Sequence, residues 1–267
     1  MDRSAPIGVF DSGMGGLTVL QAIRKALPQE HLLYIADSAH APYGDKSLEY
    51  IQQRALMLTR FLLEYGPKAL VIASNTTTAA AADLLRSTFP VPIVAVEPAL
   101  KLAVSSTKTG VVGVLVTVAT SQSARFATLL ERFRQDIEVI IQPAPGLVEQ
   151  IEAGELTSST TRALVEYYVT PLLSAEADTI VLGSTHYPHL RPLITDIVGP
   201  EVMLIDTGEA VAHQLRRVLE AGELLNEDPE PGGEQFWTSS NTQRAQQVIS
   251  LLWGTSVDVQ QLPSTFI

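Results

Sequence analysis

Ile7-Gly8-Val9-Phe10-Asp11-Ser12-Gly13-Met14-Gly15-Gly16-Leu17 joins a short apolar run to a Gly-rich turn and then to residues of helical period. A strand that feeds a helix through such a turn presents backbone N–H groups and a helix N-terminus to an anion. The glycines lack the Gly-x-Gly-x-x-Gly spacing of a dinucleotide site, and no Gly-Lys-Ser/Thr follows, so the turn does not read as a phosphate loop. Its plainer reading is a tight turn in which Asp11 or Ser12 serves as a helix cap. Working outward, short apolar runs keep alternating with longer stretches of helical period, the pattern of a parallel sheet covered by helices. Strands are predicted at 7–12, 32–37, 69–75 and 92–97, and a second series at 110–117, 137–143, 179–185 and 202–207. Amphipathic helices are predicted at 48–65, 123–134 and 159–173. The final stretch, 235–267, reads as strand, helix and strand, and the Gly-, Pro- and acid-rich segment 226–234 reads as a surface loop.

Two strand ends echo one another. Val71-Ile72-Ala73-Ser74-Asn75-Thr76 and Val181-Leu182-Gly183-Ser184-Thr185-His186 are each an apolar run that delivers a hydroxyl-rich tripeptide. In open α/β sheets ligands bind at the carboxyl ends of strands. Two such ends facing each other would form one cleft between two similar domains; a match this short is equally open to coincidence.

Composition narrows the function classes. The 267 residues are 46% hydrophobic and 18% charged, enough for one large α/β domain or two smaller ones. A formal net charge of −11, with 18 basic against 29 acidic residues and no Lys/Arg cluster, argues against nucleic-acid binding. No apolar run reaches the 18 or so residues that cross a bilayer, and residues 1–6 lack the basic start of a signal peptide, so a cytoplasmic protein without membrane contact is expected. The chain has no cysteine, which removes disulfides, thiolate metal sites and thiol catalysis together.

The remaining candidates sit where strands are predicted to end. In Asp37-Ser38-Ala39-His40-Ala41-Pro42-Tyr43-Gly44-Asp45-Lys46-Ser47, Pro-Tyr-Gly is a rigid turn that offers N–H groups and a phenol. His40 there reads as structural or solvated. Asn75, Thr76 and Thr185 can hold a carboxylate or an ammonium group, and His186, two residues after Ser184, could assist a proton transfer. Neither serine lies in a Gly-x-Ser-x-Gly elbow, which argues against a hydrolase. Thr117, Thr120 and Ser123, at a spacing of three, read as an ordinary helix start. Glu152, shortly before Gly154, reads locally as a solvated face.

Order and wording together carry more than any single motif. Gly8-Val9-Phe10-Asp11-Ser12-Gly13-Met14-Gly15-Gly16-Leu17-Thr18-Val19, Tyr34-Ile35-Ala36-Asp37, Pro42-Tyr43-Gly44-Asp45-Lys46-Ser47, Asn75-Thr76, Pro92-Ile93-Val94-Ala95-Val96-Glu97-Pro98-Ala99 and Thr185-His186-Tyr187-Pro188 resemble, in sequence, the bacterial glutamate racemases. The likeness runs from residue 7 to about 220. It implies two similar parallel-sheet α/β domains about a pseudo-twofold axis with the active-site cleft between them. The expected division is residues 1–98 with 207–267, and residues 99–206. It further implies interconversion of L- and D-glutamate without a cofactor or metal, supply of D-glutamate to peptidoglycan, and a homodimer. By the same resemblance Asp11, Ser12, Pro42, Tyr43, Gly44, Asn75, Thr76, Thr117, Thr120 and Thr185 line the glutamate pocket. Asp11, Glu152 and His186 match residues that assist proton transfer.

The sequence departs from that family where it matters most. The two catalytic cysteines of the family are replaced by Ser74 and Ser184, and a further position that carries cysteine in many members is Ala144. A thiol near pKa 8.5 can be drawn towards neutrality and act as a base, whereas an alcohol is a far weaker acid without a dedicated activating base. The expectation is an impaired racemase. Three explanations stand open: an engineered cysteine-free variant, a relative that has lost racemisation and binds an acidic amino acid, or a racemase that works with serine.

Overall fold

The computed structural model describes residues 2–97, 99–133 and 137–267. Met1 and Pro98, and the expected helix end at Arg134, lie outside the described residues. Along the chain run β1 (Ile7–Asp11), α1 (Leu17–Ala26), β2 (Leu32–Ala36), α2 (Leu48–Leu63), β3 (Ala69–Ile72), α3 (Asn75–Thr88) and β4 (Ile93–Ala95). Next come α4 (Leu100–Ser106), β5 (Val111–Val116), α5 (Val118–Ser121), α6 (Ala124–Glu131), β6 (Glu138–Pro143), α7 (Leu147–Glu152), α8 (Ser159–Ser174), β7 (Thr179–Leu182), α9 (Arg191–Val198) and β8 (Met203–Ile205). The chain closes with α10 (Gly208–Ala221), β9 (Glu234–Thr238), α11 (Thr242–Trp253) and β10 (Val259–Gln261). Short 3-10 turns lie at Tyr43–Asp45, Tyr187–Leu190 and Ser264–Phe266.

The chain divides into two compact units, Met1–Val96 with Gly208–Ile267, and Glu97–Thr207. The first holds a six-stranded sheet in the order β10-β9-β2-β1-β3-β4, and the second a four-stranded sheet in the order β6-β5-β7-β8. Every pairing among these strands is parallel. The run β2-β1-β3-β4 therefore has the same order as β6-β5-β7-β8, and the sequence echo at 71–76 and 181–186 falls on β3 and β7, equivalent strands of the two sheets. The sheets are parallel α/β, as the alternating pattern implied, and they are two in number, as the resemblance implied. The closing strand, helix and strand are β9, α11 and β10, which extend the first sheet.

Parallel pairing forces each strand to return through a covering helix, so both faces are buried and the strands read as continuous apolar runs. All five residues of β1 and all five of β2 are buried. Phe10, Leu58, Phe61, Leu62, Leu70, Ile72 and Leu85 form much of the first core; Leu100, Val112, Val114, Val116, Phe126, Val181 and Ile205 form much of the second. Two predicted strands overran. The runs at 69–75 and 179–185 end as strands at Ile72 and Leu182. The reason is local: Ser74 accepts a hydrogen bond from the N–H of Thr77 and so starts α3, and the carbonyl of Ser184 accepts from Tyr187 N to start a 3-10 turn. No helix among the described residues is long and apolar enough to cross a membrane.

Two local constraints can be measured. Gly16 sits where a Cβ would lie 2.7 Å from Asp11 Cβ and 2.9 Å from Ala73 Cβ. Both neighbours belong to the tightly held ends of β1 and β3, so Gly16→Ala should destabilise the fold by about 1–3 kcal/mol in urea unfolding. An unchanged midpoint and slope would show that the turn has room to give. In the second unit Asp178 ties the 107–110 loop to β7. It accepts from Thr107 Oγ1 at 2.6 Å, Lys108 N at 2.6 Å, Thr109 N at 2.9 Å and Thr179 Oγ1 at 3.0 Å. Partial burial pushes this carboxyl up, but the four donors outweigh it and hold the pKa at about 2. Since that lies below the unfolded value of about 3.9, ionised Asp178 adds stability above about pH 4 that is lost as pH falls through about 2. Discounted for solvent, the contribution is about 1–2 kcal/mol. Asp178→Asn should therefore be less stable than the parent at pH 7, with the gap closing towards pH 2 in acid unfolding; a gap independent of pH would refute the assignment.

Candidate active site

In the first unit the chemistry collects at the carboxyl ends of β1, β2 and β3. Asp11 closes β1 and is 1% exposed. Its Oδ1 accepts from Ser12 N at 2.7 Å and its Oδ2 from Gly16 N at 2.6 Å, so its carboxylate spans the Gly-rich turn. The expected cap is thus modified. Gly16 itself occupies the N-cap position of α1 without a side-chain bond, and Asp11 binds that glycine's N–H from one turn upstream. Tyr34, on β2, fixes the far side of the turn by donating from its phenol to Gly13 O at 3.0 Å.

The same carboxylate reaches towards Ser74. Ser12 Oγ donates to Asp11 Oδ1 at 3.3 Å and lies 3.4 Å from Ser74 Oγ. Ser74 is the N-cap of α3; its Oγ accepts from Thr77 N at 3.3 Å and its carbonyl accepts from Thr78 N at 2.9 Å. Three residues singled out from sequence, Asp11, Ser12 and Ser74, are therefore in one hydrogen-bonded cluster. Asn75 and Thr76, expected at a strand end, instead form the first turn of α3, both half-buried. The positive end of that helix lies at these residues, a setting that favours an anionic group.

The Tyr43–Asp45 turn packs against α3, which brings Pro42 and Gly44 close to the same helix. Pro42 and Gly44 are exposed. Tyr43 departs from expectation: its phenol is buried and donates to Asp37 Oδ2, so it is committed inside the protein and does not project towards a ligand. Burial, and then the charge of Asp37, push this phenol well above its usual range. His40 is held by Tyr50, with Nδ1 2.5 Å from the Tyr50 hydroxyl, which fits the structural reading given to it.

In the second unit the corresponding strand ends carry Thr117, Ala144 and Ser184. Thr117 is the N-cap of α5: its Oγ1 accepts from Thr120 N at 3.2 Å and donates to Thr120 Oγ1 at 2.9 Å. The helix start predicted from these threonines is real, and the two hydroxyls are paired besides. Ser184, Thr185 and His186 are all buried. Gly183 lets the end of β7 lie close against β5, since a Cβ there would meet Leu115 O at 2.7 Å. Ser184 Oγ accepts from His186 N at 3.4 Å. The ring of His186 turns to Glu152, with Nε2 2.7 Å from Oε1. Glu152 is thus no solvated face: its side chain is 18% exposed and hydrogen-bonded to that ring, because α7 ends beneath the 3-10 turn Tyr187–Leu190. Ala144 is buried and its N–H donates to Val116 O at 2.9 Å.

Sequence reasoning gave no role to Asp37 or Arg54, which hold Tyr43 in place. Arg54 had a signal. Ile51, Ala55 and Leu58 mark the buried face of α2, and Arg54 falls on it, where an unpaired charge would be costly. Among the described residues no group of three or more His, Asp or Glu side chains is gathered as for a metal ion.

Comparison with known proteins converges on one group. The Asp/Glu/Hydantoin racemase family model matches residues 7–215. A glutamate racemase of Pseudomonas putida is 53% identical over 260 residues, 97% of this chain and 98% of its own. The crystal structure of the glutamate racemase isoform RacE1 from Bacillus anthracis superposes with a TM-score of 0.87 at 30% identity, covering 98% of this chain and 99% of that one. The glutamate racemase of Francisella tularensis, in complex with D-glutamate, does so with a TM-score of 0.83 at 30% identity, covering 98% of each chain. With the family match, the full-length identities and the structural superpositions in agreement, this chain belongs to the Asp/Glu/Hydantoin racemase family and, within it, to the glutamate racemases.

Proposed function

We propose that this chain binds glutamate and racemises it without a cofactor, with Ser74 and Ser184 at the two proton-transfer positions and a turnover far below that of a thiol enzyme. The observation that carries the reading is the equivalence of those serines. Each follows the third strand in the shared order of its sheet, each begins a helical turn, and each has acid–base groups beside it. Asp11 and Ser12 stand next to Ser74; His186, paired with Glu152, follows Ser184. Relatives that bear the glutamate racemase name match almost the whole chain, and one was crystallised with D-glutamate.

The glutamate contacts we assign are Asp11, Ser12, Pro42, Tyr43, Gly44, Asn75 and Thr76 from the first unit, and Thr117, Thr120 and Thr185 from the second. Tyr43 contributes through its backbone, since its phenol is spent on Asp37. Racemisation removes the α-proton from one face of the carbon and returns a proton to the other, so two separate groups are needed. Backbone N–H groups and hydroxyls hold the carboxylates and spread the charge of the carbanion. A helix N-terminus at Ser74 lowers the pKa of a thiol there, and the same field acts on an alcohol whose starting pKa is far too high for it to serve as a base at neutral pH. The serines keep the positions and lose the acidity. In the cell, the product would supply peptidoglycan synthesis, and the enzyme would work as a cytoplasmic homodimer.

A second reading is favoured by the same serines: a glutamate-binding protein that keeps the pocket without the chemistry. The two separate on α-proton exchange of L- and D-glutamate in D₂O, measured for this chain beside Ser74→Cys/Ser184→Cys. If the bases alone are missing, the cysteine pair should exchange at least about 10²-fold faster than the parent, the usual scale for a positioned general base. Saturable glutamate binding with no exchange by either protein would mark a binder. Absence of glutamate binding at millimolar concentration would remove both readings.

A further inference from the structure

Behind the Tyr43–Asp45 turn lies a buried chain of polar contacts that the chemistry above does not use. Asp37, fully buried just after β2, accepts twice from Arg54, Nε to Oδ2 at 2.9 Å and Nη2 to Oδ1 at 2.7 Å. Such a fork fixes both the position and the plane of a carboxylate. Oδ2 also accepts the Tyr43 phenol, so Asp37 sets where the turn sits. The guanidinium is fixed in its own right. Nη1 contacts Met57 Sδ at 3.1 Å, and Nη2 donates to the carbonyl of Phe266 at 2.9 Å, 212 positions further along the chain.

That carbonyl belongs to the C-terminal turn Ser264–Phe266, which is anchored independently. The Phe266 ring meets Phe61 edge-on with centroids 5.2 Å apart, and Phe61 meets Trp237 at 5.0 Å. Phe266 N donates to Pro263 O at 2.8 Å. A continuous line of contacts thus runs from the last residues through α2 to the turn that bears Pro42 and Gly44.

We propose that Arg54 and the C-terminal turn are positioning elements for the 42–44 segment, holding its backbone in the geometry that receives glutamate. This rests on the reading that 42–44 contacts the substrate. Between Ala36 and Leu48 the chain has no regular element except the Tyr43–Asp45 turn, and ordering such a segment costs backbone entropy that something must offset. A buried ion pair is a poor way to add net stability, because desolvation consumes most of the attraction. It is a good way to define direction, since a fork accepts one arrangement where an apolar contact accepts several.

The test compares Arg54→Lys, which keeps the charge and loses the fork, with Phe266→Ala, which removes the ring anchor and leaves the Arg54–Asp37 pair intact. Amide hydrogen exchange is followed at Lys46, whose N–H donates to Tyr43 O, and at Val9 and Val71 in the sheet. Glutamate affinity is measured in parallel. Both variants should exchange Lys46 about tenfold faster with the strand amides unchanged, the mark of local opening. Glutamate should bind about five- to tenfold more weakly. Exchange that rises equally at turn and strands, or does not rise at Lys46, overturns the proposal. Should Arg54→Lys fail to fold, Phe266→Ala decides. If the parent chain binds no glutamate, the functional reading falls, while the exchange comparison still decides whether the C-terminal turn orders this segment.

Discussion

Asp11 leaves β1 with a buried carboxylate, and both oxygens must find donors where there is no bulk water. It finds them in its own loop, Ser12 N on one oxygen and Gly16 N on the other. That pair of bonds closes the Gly-rich turn, sets the start of α1 and brings Ser12 Oγ to within 3.4 Å of Ser74 Oγ. Gly16 has to be glycine because the closed turn presses it against Asp11 and Ala73, at the ends of β1 and β3, too close for a Cβ. A single satisfied carboxylate therefore fixes the shape of the turn and the surroundings of Ser74. Any proton it moves is moved by a group already tied to two backbone donors.

The duplication of the strand order explains why two hydroxyls stand in equivalent places. In a parallel sheet every strand ends where a helix is about to begin, so helix N-termini and their unsatisfied N–H groups collect at one edge. Ser74 answers that demand after β3 by capping α3, and after the equivalent β7 the carbonyl of Ser184 accepts from Tyr187 N to open a 3-10 turn. Serine is among the preferred cap residues, with a side-chain oxygen that accepts well, and an alanine in its place costs about 1 kcal/mol. Cysteine sulfur is a weak acceptor. A serine at position 74 thus favours the local fold while weakening the acid–base chemistry expected there. If the proposed role of position 74 holds, serine there moves the balance from acid–base chemistry towards capping.

How far the sequence could be read follows from the range of each interaction. Strands buried on both faces announce themselves as apolar runs, so the ten-strand parallel architecture, including β9, α11 and β10, was legible. Strand ends at Ile72 and Leu182 were not, because a hydroxyl that starts a helix looks like one more strand residue until its bond to a downstream N–H is seen. Long-range partners were harder. Glu152 and His186 are 34 positions apart, and no local pattern shows that the end of α7 lies against the 3-10 turn after β7. Tyr43 stood out in the sequence, yet its phenol points inward, since the partner that captures it, Asp37, is itself captured by Arg54 from α2. Sequence resemblance located the family; it could not say which atoms were already spent.

The two polar pairs near the strand ends differ in a way that bears on function. Asp37 and Arg54 are almost wholly buried, joined by a two-bond fork, and the guanidinium also donates to the carbonyl of Phe266. A fork of that kind leaves little spare geometry, which suits a support. Glu152 Oε1 lies 2.7 Å from His186 Nε2, and the carboxylate side chain keeps 18% of its surface open. An imidazole beside a carboxylate can exchange a proton, whereas a guanidinium cannot. The first pair therefore belongs to the scaffold that orders the 42–44 turn. The second lies beside Ser184, the proton-transfer position we propose in the second unit.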